Sequence, residues 1–299
     1  MVYLRPANYI RRSIGQSLAS LKNLKALNLC ANNFEVEDMK PLAKIENLKH
    51  LYIQDYGYTN EGSKITQSLL RNSKSTLQSL VLETSSYDDL FLRDPKKRDS
   101  ATDAGRSNEH DFTALKQLTI AGMTLDENSI TSLFRSIDFM RLRNLTIKYL
   151  HGTNCLFYRT LTSLAIASHG ATSLRNLSLK MSEDEYLSTP VQKKEELEAK
   201  CGLISSFNTL TTLEVLDYGQ YSSDIANNPG LSDMMLRAIL KHKNLRTLKI
   251  SYAGRTSGTN TPYLSATTVG SILDGLPHLQ EFEFAPEEKQ IVSTLNTFA

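Results

Sequence analysis

A short leucine-rich frame recurs nine times along the 299-residue chain, and this repetition restricts the fold more than any other feature. Each frame has apolar residues at its first, fourth and sixth positions. With the fourth position as marker, successive frames lie 24, 29, 38, 27, 32, 36, 35 and 34 residues apart. The frames are Leu24-Leu27-Leu29, Leu48-Leu51-Ile53, Leu77-Leu80-Leu82, Leu115-Leu118-Ile120, Leu142-Leu145-Ile147, Leu174-Leu177-Leu179, Leu210-Leu213-Val215, Leu245-Leu248-Ile250 and Leu279-Phe282-Phe284. The chain is therefore predicted to consist of stacked copies of one structural unit.

The spacing inside a frame predicts a short strand. Two apolar residues separated by one polar residue, as in Leu27-Asn28-Leu29, point to the same side of a strand. Helical periodicity follows between the frames: Asp126 begins a segment with Ile130 and Leu133 at helical spacing, and Ser232 begins another. A single strand–loop–helix unit cannot bury its apolar face alone, so neighbouring units are expected to share one core.

The first repeat carries a resemblance to a known family. Its residues, Leu24-Lys-Ala-Leu27-Asn-Leu29-Cys-Ala-Asn32-Asn-Phe34, fit the pattern LxxLxLxxNxL in full, and the chain resembles the leucine-rich repeat family over residues 18–285. The resemblance implies an α/β fold, a right-handed solenoid or horseshoe with a parallel concave sheet of about nine short strands and helices on the convex side. The long repeats are similar to the intracellular, helix-bearing repeats of ribonuclease-inhibitor-like and F-box proteins. Later repeats lack the asparagine, which leaves the subtype open.

One domain over residues 1–299 is the expected organisation. A helix over Tyr9–Leu21 is predicted to form an N-terminal cap within residues 1–21, about nine repeats fill 22–285, and Pro286 begins a C-terminal cap helix over 286–299. The longest interval contains a mixed-charge stretch, Asp88–Asp111, predicted to be a solvated, partly disordered loop, with nuclear localisation through Lys96-Lys97-Arg98 as the alternative. The segment Lys193–Glu198 is predicted to be a solvated helix face.

Composition excludes several classes of protein. The chain has 34 Lys and Arg against 32 Asp and Glu, a net charge of +2, which argues against a nucleic-acid binder. No apolar stretch approaches the roughly 20 residues that span a bilayer. Three cysteines, Cys30, Cys155 and Cys201, without a CxxC pair favour a reducing compartment. We therefore expect a cytoplasmic or nuclear protein that acts as a monomer and does not contact a membrane.

No catalytic or metal-binding motif is present in the sequence. The phosphate-binding, zinc-protease and nucleophile-elbow patterns do not occur, and the six histidines lie without metal-ligand spacing. His242 is interpreted as a turn or surface residue, and Cys30 and Cys155 as packing residues or inert thiols. We therefore expect no enzyme, metal or cofactor; an enzyme with a site in the concave groove is the alternative from a different class.

Two features predict where a partner protein would bind. Lys148 and Lys180 occupy equivalent positions on adjacent strands and are expected to form a positive patch on the concave face. Tyrosines cluster on and just after the strands, and tyrosine is common at binding hot spots. The alternatives are that these residues are solubilising or pack under loops. The predicted partner-binding residues are Tyr52, Gln54, Tyr56, Tyr58, Lys148, Lys180, Tyr218, Tyr221, Lys249, Tyr252 and Arg255.

These observations predict a binding module that recognises another protein through its concave face and loop rim. The resemblance to fungal and plant F-box repeat proteins implies substrate recognition for a ubiquitin ligase. About 20 residues precede the first repeat, fewer than the roughly 40 of an F-box, so this chain is expected to be a fragment, a divergent member or a protein that has lost the adaptor. Regulation of a small GTPase is the alternative within the family.

Overall fold

The computed structural model describes residues 2–4, 13–30, 40–55, 60–84, 111–148, 150–152, 154–168, 171–180, 190–217, 231–252 and 264–286. Across these residues the chain passes from strand to helix and back, as the repeated frame predicts. The bounds of the strands are β1 Val2–Leu4, β2 Ala26–Cys30, β3 His50–Asp55, β4 Ser79–Thr84, β5 Gln117–Ala121, β6 Thr124–Leu125, β7 Asn144–Lys148, β8 His151–Gly152, β9 Asn176–Lys180, β10 Thr212–Asp217, β11 Thr247–Tyr252 and β12 Glu281–Pro286.

Ten of these strands form one parallel sheet. Their order in space is β1-β2-β3-β4-β5-β7-β9-β10-β11-β12, the same as their order in the chain, and β6 pairs with β8 in a separate two-stranded sheet. The coarse fold prediction, α/β with a parallel sheet, is confirmed, and each of the nine frames supplies a strand. The sequence did not predict the tenth strand, β1, or the small second sheet.

The frames are aligned across the whole sheet. Leu27 pairs with Leu51, Leu51 with Leu80, and the fourth frame residue of each later strand pairs with its counterpart. Equivalent positions therefore form straight rows, and the variation in repeat length falls entirely in the connections.

A recurring pair of backbone hydrogen bonds fixes this register at the start of each strand. The carbonyl of Lys25 accepts from the amides of Lys49 at 2.8 Å and His50 at 3.0 Å. The same arrangement joins every later pair of neighbouring repeats. The accepting carbonyls belong to Lys25, Lys49, Gln78, Lys116, Arg143, Arg175, Thr211 and Arg246.

The connecting helices pack on the face of the sheet to which the frame residues point. Frame residues such as Leu145 lie in one buried cluster with Leu69, Leu133, Phe157 and Ile239 from the helices. None of the described helices is long and apolar enough to cross a membrane. The helices are α1 Ser13–Ala19, α2 Asn60–Ser73, α3 Glu127–Ser136, α4 Asn154–Ala167, α5 Pro190–Ser206, α6 Asp233–Ile239 and α7 Ala266–Gly275, with short 3-10 helices at Lys40–Lys44 and Phe139–Arg141.

Capping residues start the helices where the sequence predicts. The amide of Ser129 donates to Asp126 Oδ1 at 2.7 Å at the start of α3. Hydrogen bonds from Ser129 hold the pKa of the Asp126 carboxyl below its usual value. Ser232 accepts from the amide of Met235 at 3.2 Å at the start of α6. Each cap satisfies an amide that has no partner inside its own helix.

The two ends of the sheet differ from the predicted caps. The N-terminal helix, α1, ends at Ala19, two residues before the predicted end at Leu21, and Leu21 is 49% exposed. Residues 9–12 of the predicted helix lie outside the described residues. Val2–Leu4 is a strand at the sheet edge, so a purely helical cap over residues 1–21 is wrong. At the other end β12 extends through Pro286, the residue predicted to begin the C-terminal helix over 286–299. The rest of that predicted helix lies outside the described residues, as does nearly all of the predicted Asp88–Asp111 loop.

Helix α5 also departs from the sequence prediction. The charged segment 193–198 was predicted to be solvated, but Glu196 is buried and lies 2.9 Å from Lys200, measured from carboxylate oxygen to Nζ. Lys200 Nζ lies 5.7 Å from the centre of the Tyr158 ring on α4. Burial and the Glu196 carboxylate raise the pKa of the half-buried Cys155 thiol, and Cys201 is buried. The α4–α5 contact therefore encloses an ion pair.

His242 is in a turn after α6, as predicted, but it is buried, with 3% of its surface exposed. Neither ring nitrogen has a hydrogen-bond partner that meets normal geometry. Burial lowers the pKa of His242 and Lys241 lowers it further, while the nearby Ile204 carbonyl acts in the opposite direction. The imidazole is therefore held neutral in the folded chain.

We predict a loss of stability at acidic pH that depends on His242. Because its pKa is lowered on folding, the unfolded chain binds the proton more readily, and stability falls as pH drops below the unfolded value of about 6.5. The slope is at most about 1.4 kcal/mol per pH unit from this residue. Urea unfolding of the wild type and of His242→Leu at pH 5 to 8 measures it. Parallel profiles for the two proteins would contradict the assignment.

Candidate functional site

The candidate binding site is the sheet face opposite the helices, which we call the open face. Strand residues that alternate with the frame residues point to this side, because successive side chains of a strand point to opposite faces. Its central part is made of short side chains. Thr119, Thr146 and Ser178 are neighbours on β5, β7 and β9, and Ala121 lies between Glu83 and Lys148 in the adjoining row. These short residues leave a shallow floor between charged groups.

A tyrosine-centred cluster lies on the N-terminal side of this floor. The Tyr52 hydroxyl is 2.7 Å from Glu83 Oε2 on the neighbouring strand and 3.3 Å from Gln54 Oε1 on its own strand. The ring of Tyr52 is half-buried, so it presents both apolar area and a polar tip on the open face. Two of the predicted partner-binding residues, Tyr52 and Gln54, are thus brought together, and Glu83 joins them.

A second cluster lies on the C-terminal side of the floor. Lys180 Nζ is 2.9 Å from Glu214 Oε1, and the Ser178 hydroxyl donates to Glu214 Oε2 at 2.7 Å. Lys148 and Lys180 are aligned on adjacent strands, as predicted. Among the described residues Lys148 has no ion pair, so the three charged side chains together have one excess positive charge. The predicted positive patch is therefore half neutralised by Glu214.

The surroundings of Glu214 keep it ionised. Burial raises the pKa of this carboxyl, but the hydrogen bonds from Ser178 and Lys180, with the nearby Lys148 charge, outweigh burial and lower the pKa below its usual value. Glu214 is therefore a fixed negative charge at neutral pH that orients Lys180. Lys148 is the cation of this cluster that is available to a partner.

A third cluster occupies the last two strands. Lys249 Nζ lies 2.8 Å from Glu281 Oε1 and 3.1 Å from Glu283 Oε2. The Glu281 and Glu283 carboxylates raise the pKa of Lys249, and Lys249 lowers the pKa of Glu281. Two carboxylates face one ammonium, so this part of the open face is acidic. The Lys249 ammonium is therefore already paired with carboxylates of its own chain.

The other predicted site residues divide into two groups. Tyr252 ends β11, and its backbone pairs with Pro286 on β12. Outside the described residues lie Tyr56, Tyr58, Tyr218, Tyr221 and Arg255. Three outward strand positions are buried: Ala121 is 6%, Ser178 9% and Leu216 2% exposed, so these side chains offer little surface to a partner.

The predicted site omitted the residues that orient its members. Glu83 binds Tyr52 and Glu214 binds Lys180, while Ser178 donates to Glu214, yet none of the three was included. Glu214 pairs in register with Ser178 on β9, and Lys180 is two residues further along the same strand. The aligned frames could have predicted this contact, because they place Glu214 diagonally opposite Lys180 on the neighbouring strand. A long side chain can reach such a diagonal neighbour.

The helix side contains a groove between α3 and α4 with a volume of about 410 Å³. Phe134 and Phe139 stack at its base with ring centres 4.5 Å apart, and Leu156 and Leu164 line one wall. The carboxylates of its lining are Glu127 and Asp138, and no histidine or cysteine is among the described residues that line it. No group of three or more potential metal ligands occurs in the described parts of the chain.

Comparison with known proteins adds no relative. The chain matches none of the protein-family models, and a search of curated proteins finds no match. The functional proposal therefore depends on the geometry of the chain itself.

Proposed function

We propose that the chain is a leucine-rich repeat solenoid that binds another protein on its open face and catalyses no reaction. The observation that carries the proposal is the arrangement of the open face. A floor of short polar side chains, Thr119, Thr146 and Ser178, is flanked by side chains that hydrogen bonds hold in place. In a solenoid this face is the concave one, where successive repeats add contact area for an extended partner.

The flanking clusters have the character of binding groups because they are oriented before a partner arrives. Tyr52 is held by Glu83, and Lys180 by Glu214 and its neighbours. A partner that contacts them loses little side-chain entropy on binding, which is the main benefit of preorganisation. The tyrosine supplies apolar area, the lysine cluster supplies charge, and the floor between them leaves room for a protruding element.

The test is to fill the floor with bulky charge and follow the partner. We expect Thr119→Arg with Thr146→Arg to reduce recovery of the native partner at least about tenfold, which corresponds to about 1.4 kcal/mol of binding free energy. Recovery is measured by quantitative affinity purification with mass spectrometry from the cells that make the protein.

A matched variant controls for added charge and for stability. Thr131→Arg with Ser163→Arg places two arginines at exposed positions on α3 and α4, on the helix side. This control is expected to recover the partner at the wild-type level, and both variants are expected to melt within a few degrees of the wild type. Undiminished recovery by the open-face variant would refute the proposal.

A further inference from the structure

A line of basic side chains follows the edge of the sheet where the strands begin. The residue after the first frame leucine is basic in six of the nine frames, and the two breaks between them are Gln78 and Thr211. The parallel register places these residues side by side, one per strand. We call this line the basic row. Its members are Lys25, Lys49, Lys116, Arg143, Arg175 and Arg246.

The backbone holds the row in place. The carbonyl of each member accepts hydrogen bonds from two amides of the following repeat, as it does at Lys25 and Arg143. This arrangement fixes the direction of each backbone and leaves the side chain at the edge. All six members are exposed. The row is therefore a property of the stacked repeats and not of one flexible loop.

No described residue neutralises the basic row. None of its six members forms an ion pair with a residue in the described ranges; Arg175 Nη1 donates to the Thr209 carbonyl at 3.0 Å. The first residues of strands β2 to β11 in this sheet include no carboxylate and are mostly amides and hydroxyls, such as Gln117, Asn144 and Asn176. The Asn176 amide donates to Asn144 at 2.7 Å. The first carboxylate at this level is Glu281 on β12, which is paired with Lys249.

The dimensions of the row suit a linear anion. Seven strand spacings of about 4.8 Å separate Lys25 from Arg246, so six positive charges extend over about 34 Å. An extended peptide of about ten residues covers this length, and it directs every second side chain to the same side. Acidic residues at those positions present about five carboxylates to six cations. Amides and hydroxyls beside the row provide donors and acceptors for the peptide backbone.

The same dimensions disfavour nucleic acid. A duplex of about 34 Å carries roughly 20 phosphate charges, far more than a single row of six cations neutralises, and the chain as a whole has a net charge of only +2. Single strands are usually held by aromatic side chains that stack on the bases. The first strand residues beside the row contain one ring, that of His50, across strands β2 to β11.

We infer that the basic row binds an extended acidic segment of a protein partner. The basic row borders the open face at the edge where the strands begin, and the inference does not depend on a partner that contacts Thr119 and Thr146. We expect the binding affinity to be strongly sensitive to salt. All six cations are exposed to solvent, where dissolved ions screen their attraction to the acidic segment.

The experiment uses the full chain and a fluorescein-labelled decaglutamate peptide, with fluorescence anisotropy as the readout. We expect binding at low salt that weakens on raising salt. The triple variant Lys49→Gln, Lys116→Gln and Arg143→Gln is expected to bind at least about tenfold more weakly, since three modest charge contacts are lost. Its matched control, Lys64→Gln with Arg71→Gln and Arg159→Gln, removes the same net charge from exposed helix positions and is expected to change the affinity less than about twofold.

Three further samples make the result decisive. Decaglutamine should not bind, and a 20-base-pair duplex should bind more weakly than decaglutamate. If the triple variant melts below the wild type, Lys25→Gln with Arg246→Gln at the ends of the row replaces it, with a severalfold loss expected. Equal losses in the row and control variants, absence of decaglutamate binding, or row-dependent binding of the duplex alone would each overturn the inference. Loss of the partner in the open-face arginine variant is unaffected by any of these outcomes.

Discussion

Replacing Lys200 with methionine is expected to lower the free energy of unfolding by about 3–5 kcal/mol, as for other buried ion pairs that lose one partner. Lys200 and Glu196 are both buried in the contact between α4 and α5, and the ammonium also lies over the Tyr158 ring. Methionine fills a similar volume but leaves the Glu196 carboxylate without its cation in a poorly solvated place. Urea unfolding followed by circular dichroism measures the change.

The same helix offers a matched control. Lys194 and Glu198 have the same spacing, but their charged atoms are 4.0 Å apart and their side chains are 75% and 45% exposed. Lys194→Met is therefore expected to change stability by less than about 0.5 kcal/mol. The double variant Glu196→Leu with Lys200→Met should regain most of the loss, since an apolar pair removes the uncompensated charge. Equal effects of Lys200→Met and Lys194→Met would show that the buried pair contributes nothing.

Replacing Leu145 with alanine is expected to cost about 3 kcal/mol, with a range of roughly 2–5 for buried leucines. Leu145 is 1% exposed and is the fourth frame residue of β7, in the middle of the sheet. Its side chain packs in the core shared by neighbouring repeats, so truncation leaves a cavity that strands on both sides cannot close. Urea unfolding gives the value.

Thr146, the next residue along β7, is the control for this prediction. It is on the open face and only half-buried, so Thr146→Ala is expected to change stability by less than about 0.5 kcal/mol. The contrast between adjacent residues tests the alternation on which the assignment of the open face depends. Similar losses at Leu145 and Thr146 would mean that both faces of the sheet are buried and would remove the candidate site.

The strands and most helix starts follow from the sequence because each depends on local chemistry repeated many times. The nine aligned frames indicate where the strands lie. Asp126 and Ser232 indicate where two helices begin, because each side chain accepts a hydrogen bond from a backbone amide three residues later. The strand Val2–Leu4 could not be predicted in this way, since it has no frame of its own and pairs only through its backbone with β2.

The buried charged groups were misjudged for a different reason. One side of α5 carries four buried residues, Glu196, Ala199, Lys200 and Leu203. The charged residues in this part of the sequence led to the prediction that it is solvated. A sequence pattern does not show that a neighbouring helix provides a partner such as Tyr158 for the lysine. His242 is a similar case, because its burial depends on residues distant in the chain.

The candidate site was predicted in outline only. The frames identify the strand positions that alternate with the core residues, and Tyr52, Lys148 and Lys180 occupy such positions. Their part in partner binding stays a prediction. Contacts between strands decide whether these charges are neutralised and how the side chains are oriented. Glu214 on β10 neutralises Lys180, its diagonal neighbour on β9, in an ion pair. The basic row was visible in the sequence as a lysine or arginine after the first frame leucine, but its meaning required the strands to be aligned.

The central claim, that a partner covers the open face, is tested most directly by lysine labelling of the complex. The captured partner is mixed with the chain, and acetylation of each lysine is measured by mass spectrometry with and without it. Lys148 on the open face is expected to become at least about fivefold less reactive on binding, since a protein contact excludes reagent and water from its core. Lys194 on α5, with 75% of its side chain exposed, should react unchanged. Protection of Lys194 with Lys148 still fully reactive would contradict the account.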